Sequence, residues 1–287
     1  MAISKRHRIP VIEDVSHAHG GMYKGRKTGT FGAIAAMSLM SGKSLPVGEA
    51  GMFATDDREL YERALAFGHY GRFNADVASD HLRQYAGLPL GGYKYRMHQM
   101  SSAVGRIQLS RYDERMAEID TAMNYFCDCL EDIPGVRSHR VAPGSGSTMA
   151  GWYAARAWYE PEVLGGLSVS RFCEAVRAEG CDISPGANKP LHLHPLLTEC
   201  DVYGHGKPTR LANARRNVIA ADGKLPVTEW AGPRLFAIPW FKKYRPDVIR
   251  RYADAIAKVS RHHEELLEGD LGNPPDVGGW HFFSHGG

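Results

Sequence analysis

The chain has 287 residues, 43% hydrophobic and 23% charged, with a formal net charge of +3 when histidine is neutral. That balance describes an ordinary globular protein with room for one large domain or two modest ones. The charge is too small and too scattered to mark a nucleic-acid partner, and no apolar run is long enough to span a bilayer. The N-terminal MAISKRHRIPVIEDV has no signal-peptide core, so the chain is expected in the cytoplasm. Five cysteines, odd in number and without disulfide or zinc-ribbon spacing, agree.

In chain order, AISKRH reads as a short helical piece, and Ile9 to Val15 as a short buried strand ending in Glu13-Asp14. Ala33 to Met40 and Gly51 to Thr55 read as two more strands, with a helix starting at Asp56-Asp57. Residues 71–92 are loop-rich. From Met97 to Leu130 apolar residues recur at helical spacing (Met100, Val104, Ile107, Met116, Ile119, Met123, Phe126). This predicts one long helix, bent near Gly105 and stopped before Pro134-Gly135. Trp152 to Tyr159 alternates as a strand. Ser168 caps a helix that runs to about Ala178 and ends at Gly180. Asp182 to Ser184 is short and strand-like. Residues 185–210 form a long loop rich in Pro, His and Gly, the kind of segment that carries function. A helix is expected from Pro246 to about Leu267, and the Gly/Pro-rich tail reads as an extended strap or a loose end.

The chemistry concentrates near the N-terminus. Asp14 ends the first strand, and Lys43 follows the second, in a loop expected at the same edge of the sheet. Strand ends are where α/β proteins keep their chemistry. An aspartate facing a loop lysine suits pyridoxal 5′-phosphate: the amine condenses with the aldehyde as a Schiff base, and the carboxylate keeps the pyridine nitrogen protonated. Ser38, five residues before the lysine, is placed to meet the cofactor phosphate, and His17 to stack on the ring or bond its phenolic oxygen. A phosphate-binding P-loop is a weaker reading, because GKS lacks the upstream glycine that motif requires. A solvated loop lysine remains the plain alternative.

The stretch VIEDVSHAHGGMYKGRKTGTFGAIAAMSLMSGKSLPVGEAGMFATDD resembles the DegT/DnrJ/EryC1/StrS family of sugar aminotransferases. The shared pattern is Glu13-Asp14, His17, Gly29 to Gly32, Ser38, Lys43 and then Gly48-Glu49-Ala50-Gly51, which departs only at Ala50. GGYKYRMHQMSSAVGRIQL resembles a second family block, whose Asn reaches the cofactor phosphate of the partner subunit; Lys94 stands at that position here. ANKPLHLHPLL resembles a third, which makes His192 the substrate-binding candidate, with His194 beside it. A rival reading takes His192, His194, Cys200 and His205 as metal ligands. No further acid or histidine completes that set, and no metal is expected.

The resemblance implies an α/β fold of the PLP-dependent transferase (aspartate-aminotransferase) type. Residues 1–96 would be the remainder of the large cofactor-binding domain, 97–134 a long linking helix, 135–270 a smaller α+β domain and 271–287 an extended tail. Family members carry a substantial region before the strand that ends in the Asp, so the chain is expected to be N-terminally truncated, by gene truncation, a wrong start or a split gene. The implied activity transfers an amino group from glutamate or glutamine to a keto-sugar (nucleotide-linked) or keto-cyclitol through a Lys43 aldimine. Asp14 and Lys43 would be catalytic. Asp14, His17, Ser38, Lys43 and Lys94 would bind the cofactor, in a homodimer with its site at the interface. Two alternatives stay open: a non-catalytic remnant, and a sugar dehydratase relative, against which the retained Lys43 argues.

Overall fold

The computed structural model describes residues 1–73, 77–216, 224–275 and 277. Residues 278–287 of the expected tail lie outside them. The chain divides into two compact units, one of Met1–Thr121 with Val141–Tyr153, the other of Ala122–Arg140 with the described residues from Ala154 on.

In the first unit, helix α1 (Ala2–His7) precedes strand β1 (Ile12–Asp14), and strands β2 (Met22–Tyr23) and β3 (Arg26–Lys27) form a hairpin. Its two turn residues, Lys24 and Gly25, both have positive φ, as the twist of a two-residue hairpin favours. Strands β4 (Ile34–Ser38) and β5 (Gly51–Ala54) complete a three-stranded sheet in the order β1-β4-β5. β1 runs parallel to β4, with Asp14 opposite Ala36, and β5 runs antiparallel to β4, with Gly51 opposite Ser38. The expected buried strand at Ile9–Val15 is a correction. Only three residues pair, Ile12 is 66% exposed, and full burial begins at Val15, because among the described residues β1 has a neighbour on one side only. Helix α2 (Arg58–Gly68) starts where Asp57 accepts the Leu60 N–H at 3.0 Å.

The single long helix expected from residue 97 is two helices, α3 (Gln99–Ser110) and α4 (Tyr112–Leu130). The break is at Arg111 (φ −111°, ψ 7°), not at Gly105. Gly105 lies inside α3, where an added Cβ would stand 3.1 Å from Val47, so the glycine permits a close approach. After the break Tyr112 enters a core of Leu39, Leu45 and Val47.

The second unit holds a four-stranded antiparallel sheet of β6 (Val136–Ser138), β7 (Arg156–Tyr159), β8 (Ser184–Pro185) and β9 (Leu235–Ala237), in the order β6-β7-β9-β8. Helices α5 (Val169–Ala178) and α6 (Pro246–Arg261) complete its core. Phe172 of α5 lies 5.0 Å from the Tyr159 ring and 5.9 Å from Phe236, and α6 buries Ile249 and Ile256. Ser168 caps α5 by accepting the Arg171 N–H, as expected, and Asp270 in turn accepts both the Ser168 N–H and its hydroxyl. The predicted helix to Leu267 stops at Arg261, and a separate turn follows at Glu264–Leu267. The strand expected from Trp152 starts only at Arg156, because Trp152 and Ala154 have left-handed backbone (φ 55° and 54°).

Candidate active site

Side chains alternate across a strand, so the acids that end β1 point to opposite faces. They do different work. The Glu13 carboxylate accepts the N–H groups of Gly29 (2.7 Å), Phe31 (2.6 Å) and Gly32 (2.7 Å), which draws the 29–32 turn onto the strand end. Gly32 is needed there: a Cβ would stand 2.5 Å from the Val11 carbonyl oxygen. Burial pushes the Glu13 carboxyl up, but the three amides and the charge of Arg26 together hold it below its ordinary value.

Asp14 faces the other way. Its Oδ1 accepts the Ser16 N–H at 2.9 Å, and the Ser16 Oγ accepts the Ser38 N–H at 3.0 Å, so Ser16 ties the end of β1 to the end of β4. The Ser16 hydroxyl and N–H, with the charges of His17 and Lys43, hold Asp14 below the usual carboxylate range against some desolvation. Asp14, Ser38 and Lys94 all line one open groove of about 790 Å³, with Arg96 and His98 on its wall.

Lys43 projects from the turn after β4, where its own N–H donates to the Met40 carbonyl at 2.9 Å. Its Nζ lies 4.3 Å from the centroid of the Tyr153 ring, in cation–π range. The His17 ring packs on the same tyrosine with centroids 4.3 Å apart. Burial and then the Lys43 charge push the His17 imidazolium down, against the pull of Asp14. Tyr153 is delivered by an unusual backbone. Ala150, Trp152 and Ala154 all have φ between 50° and 55°, a region costly for residues with a Cβ. Buried Trp152 anchors it, with Nε1 donating to Asp120 Oδ1 at 2.8 Å.

His192 belongs to the second unit. Its Nε2 lies 2.8 Å from Glu229 Oε1, which also accepts the Leu225 N–H at 2.8 Å. That contact with His192, with the Leu225 amide, lowers the Glu229 carboxyl. His194 caps the short helix Pro195–Thr198 by accepting the Leu196 N–H. Among the described residues no group of three His, Cys, Asp or Glu side chains is placed to hold a metal ion.

The fold is of the α/β aminotransferase type, as the comparison with solved structures shows. The structure superposes on the aminotransferase from Psychrobacter cryohalolentis with a TM-score of 0.70, at 25% identity, covering 92% of this chain and 65% of that one. The model of the DegT/DnrJ/EryC1/StrS aminotransferase family matches residues 1–257, and the chain belongs to that family. It is 27% identical to the L-glutamine:scyllo-inosose aminotransferase of Streptomyces griseus, over 93% of this chain and 60% of that protein. It is 30% identical to the L-glutamine:2-deoxy-scyllo-inosose aminotransferase of Streptoalloteichus tenebrarius, over 92% of this chain and 62% of that protein. The chain thus spans about three fifths of the length of the curated relatives it matches.

Sequence reasoning missed Ser16, Tyr153 and Glu229. Ser16 had a signal: an aspartate two residues before a serine can accept its amide in a local turn. Tyr153 and Glu229 had none, since each meets its partner from far along the chain.

Proposed function

We propose that the chain acts as a pyridoxal 5′-phosphate-dependent aminotransferase, moving an amino group from glutamine or glutamate to a keto-cyclitol or to a nucleotide-linked keto-sugar. The observation that carries this reading is the meeting of Asp14, Ser38 and Lys94 along one groove; Lys43 is not among the residues lining it and stands over the Tyr153 ring. The donor set suits the cofactor: an amine, a carboxylate kept ionised, and a hydroxyl beside cationic side chains. The glutamine donor and the cyclitol acceptor are favoured by the two relatives named for L-glutamine and inososes.

Bound there, pyridoxal 5′-phosphate supplies an electron sink and a carrier for the amino group. Lys43 Nζ would hold the cofactor, and the same amine, when free, would be the base that takes and returns the donor's Cα proton. The Asp14 carboxylate, which Ser16 keeps ionised and aimed, would hold the proton of the pyridine nitrogen. Ser38 Oγ would bind the phosphate group, to which Lys94 would add a point charge. His17 lies against the ring or its phenolic oxygen, and His192 binds substrate. Residues 1–96 act as the cofactor-binding region and 135–270 as the second domain, joined through 97–134, in a cytoplasmic protein. A homodimer fits the exposed apolar face of α3, where Met100 is 74% and Ile107 62% exposed.

The test is the visible absorbance of the purified chain with added pyridoxal 5′-phosphate, followed by borohydride and peptide mapping, beside Lys43→Ala. The proposal expects a band, a stable adduct on Lys43 and neither in the variant; glutamine should then bleach the band. A wild-type chain without band or adduct would sink the proposal and favour the non-catalytic reading.

A further inference from the structure

The turn that carries Lys43 rests on a buried polar chain that the proposed chemistry leaves unused. The Tyr112 hydroxyl donates to the backbone carbonyl of His19 at 2.8 Å. A carbonyl only accepts, so the single phenolic proton is committed there. Ser44 Oγ lies 3.2 Å from the Tyr112 oxygen, and must therefore donate to it. The same Ser44 Oγ lies 3.1 Å from His19 Nδ1. Its only proton is already placed, so His19 donates from Nδ1. The order of donors is thus fixed by counting protons: His19 to Ser44, Ser44 to Tyr112, Tyr112 to the His19 carbonyl.

Neutral His19 is then the Nδ1–H tautomer, with a bare lone pair at Nε2. His19 is 4% exposed and its Nε2 is buried with no hydrogen bond of ordinary geometry. The Ser38 backbone also bears on the ring as an acceptor, so the tautomer assignment rests on the Ser44 and Tyr112 contacts alone. Burial pushes the His19 imidazolium down, against the Ser38 backbone and in concert with Lys43 and His17, so the ring stays neutral.

Ser44 is gripped from other sides as well. The Arg115 guanidinium donates to the Ser44 carbonyl at 2.7 Å and to the Gln108 side chain. Gly151 approaches so closely that a Cβ there would stand 2.4 Å from the Ser44 Cβ. The Tyr112 ring packs among Leu39, Leu45 and Val47, which flank the Lys43 turn in sequence.

We infer that Tyr112 is a positioning residue for Lys43: its hydroxyl, acting through Ser44 and His19, fixes the turn from which Lys43 projects. The inference rests on the reading of Lys43 as the cofactor lysine. Two measurements test it without cofactor. Histidine ¹⁵N shifts report the His19 tautomer, and hydrogen exchange of the Lys43 amide reports the turn.

Tyr112→Phe keeps the ring and frees the Ser44 proton for His19 Nδ1. The expected results are Nδ1–H in the wild type and a shift toward Nε2–H in the variant. Lys43 amide exchange should rise by about tenfold, the factor that one lost hydrogen bond supplies. Half-maximal borohydride labelling of Lys43 should need roughly tenfold more pyridoxal 5′-phosphate on the same arithmetic. A ring that merely fills space would leave the tautomer unmoved. Wild-type His19 as Nε2–H, an unchanged tautomer in the variant, or Lys43 exchange as slow as before overturns the inference. If wild-type Lys43 takes no label, the cofactor reading fails by itself, and tautomer and exchange still decide the positioning.

Discussion

Glu13 offers the sharpest test of how the site is held. Three backbone amides converge on its carboxylate, Phe31 and Gly32 on Oε1 and Gly29 on Oε2. A hydrogen bond to a charged acceptor is worth about 1.5–3 kcal/mol, so three give an upper bound near 9 kcal/mol. The group is half-buried and water replaces part of what is lost, so Glu13→Ala should cost about 3–4 kcal/mol. Glu13→Gln keeps one oxygen for two of the amides and turns an NH₂ toward the third, so about 1.5–3 kcal/mol is expected. Urea unfolding at pH 7 reads both as a fall in midpoint at constant slope. The sign with pH follows from the lowered native value. Glu13 stabilises the fold fully above its ordinary 4.5, and the gap to the Gln variant should close as pH falls below that through the native value. A Gln variant as stable as the wild type, or a gap that widens in acid, refutes the account.

Glu62 makes a similar prediction in a drier setting. Its side chain is 1% exposed, accepts the Ala78 and Ser79 N–H groups at 2.7 and 3.0 Å and pairs with Arg58, and its carboxyl is brought down to about 2. Burial alone would raise it, so the hydrogen bonds dominate. Glu62→Gln should cost about 2–3 kcal/mol at pH 7, and the penalty should fade between pH 4.5 and about 2; urea midpoints across that range measure it. Asp14→Asn should leave the free energy of urea unfolding within about 0.5 kcal/mol of wild type while lowering the proposed transamination on the order of 10²-fold; equal loss of both would mean that Asp14 is scaffold. Ala154→Gly should raise stability by about 1 kcal/mol, because glycine occupies its positive φ without the Cβ penalty; thermal unfolding decides it, and a lower midpoint counts against strain at that residue.

What the sequence shows and what it hides separate along physical lines. Asp14 and Ser38 could be placed together from the sequence because parallel pairing puts Asp14 opposite Ala36 and Ser38 two residues on, at the same edge. The helix break at Arg111 was hidden because apolar spacing tells which face is apolar, not whether the axis is continuous. The exposure of Ile12 was hidden because β-branched residues favour strands at an edge and in a core alike. Tyr153 reaches Lys43 through left-handed backbone at alanine and tryptophan, while the turn's glycine, Gly151, is not among the residues with positive φ, so the letters do not mark the strained positions.

The pair Glu13-Asp14 gathers these points. As letters the two acids are equivalent candidates to hold a proton in the proposed reaction. The period of two in a strand separates them: one side chain must face the turn that closes behind β1, and the other the groove. Three amides then hold Glu13 ionised but occupy it. Asp14 is also held ionised, by Ser16, yet lines open space beside Ser38 and Lys94. A carboxylate already committed to backbone donors is poorly placed to serve a ligand. One with an oriented headgroup and solvent before it is well placed. Hydrogen-bond counting thus supports the proposed chemistry at Asp14 and scaffolding at Glu13, and the two substitution series above should separate accordingly: Glu13 variants in stability, Asp14 variants in turnover.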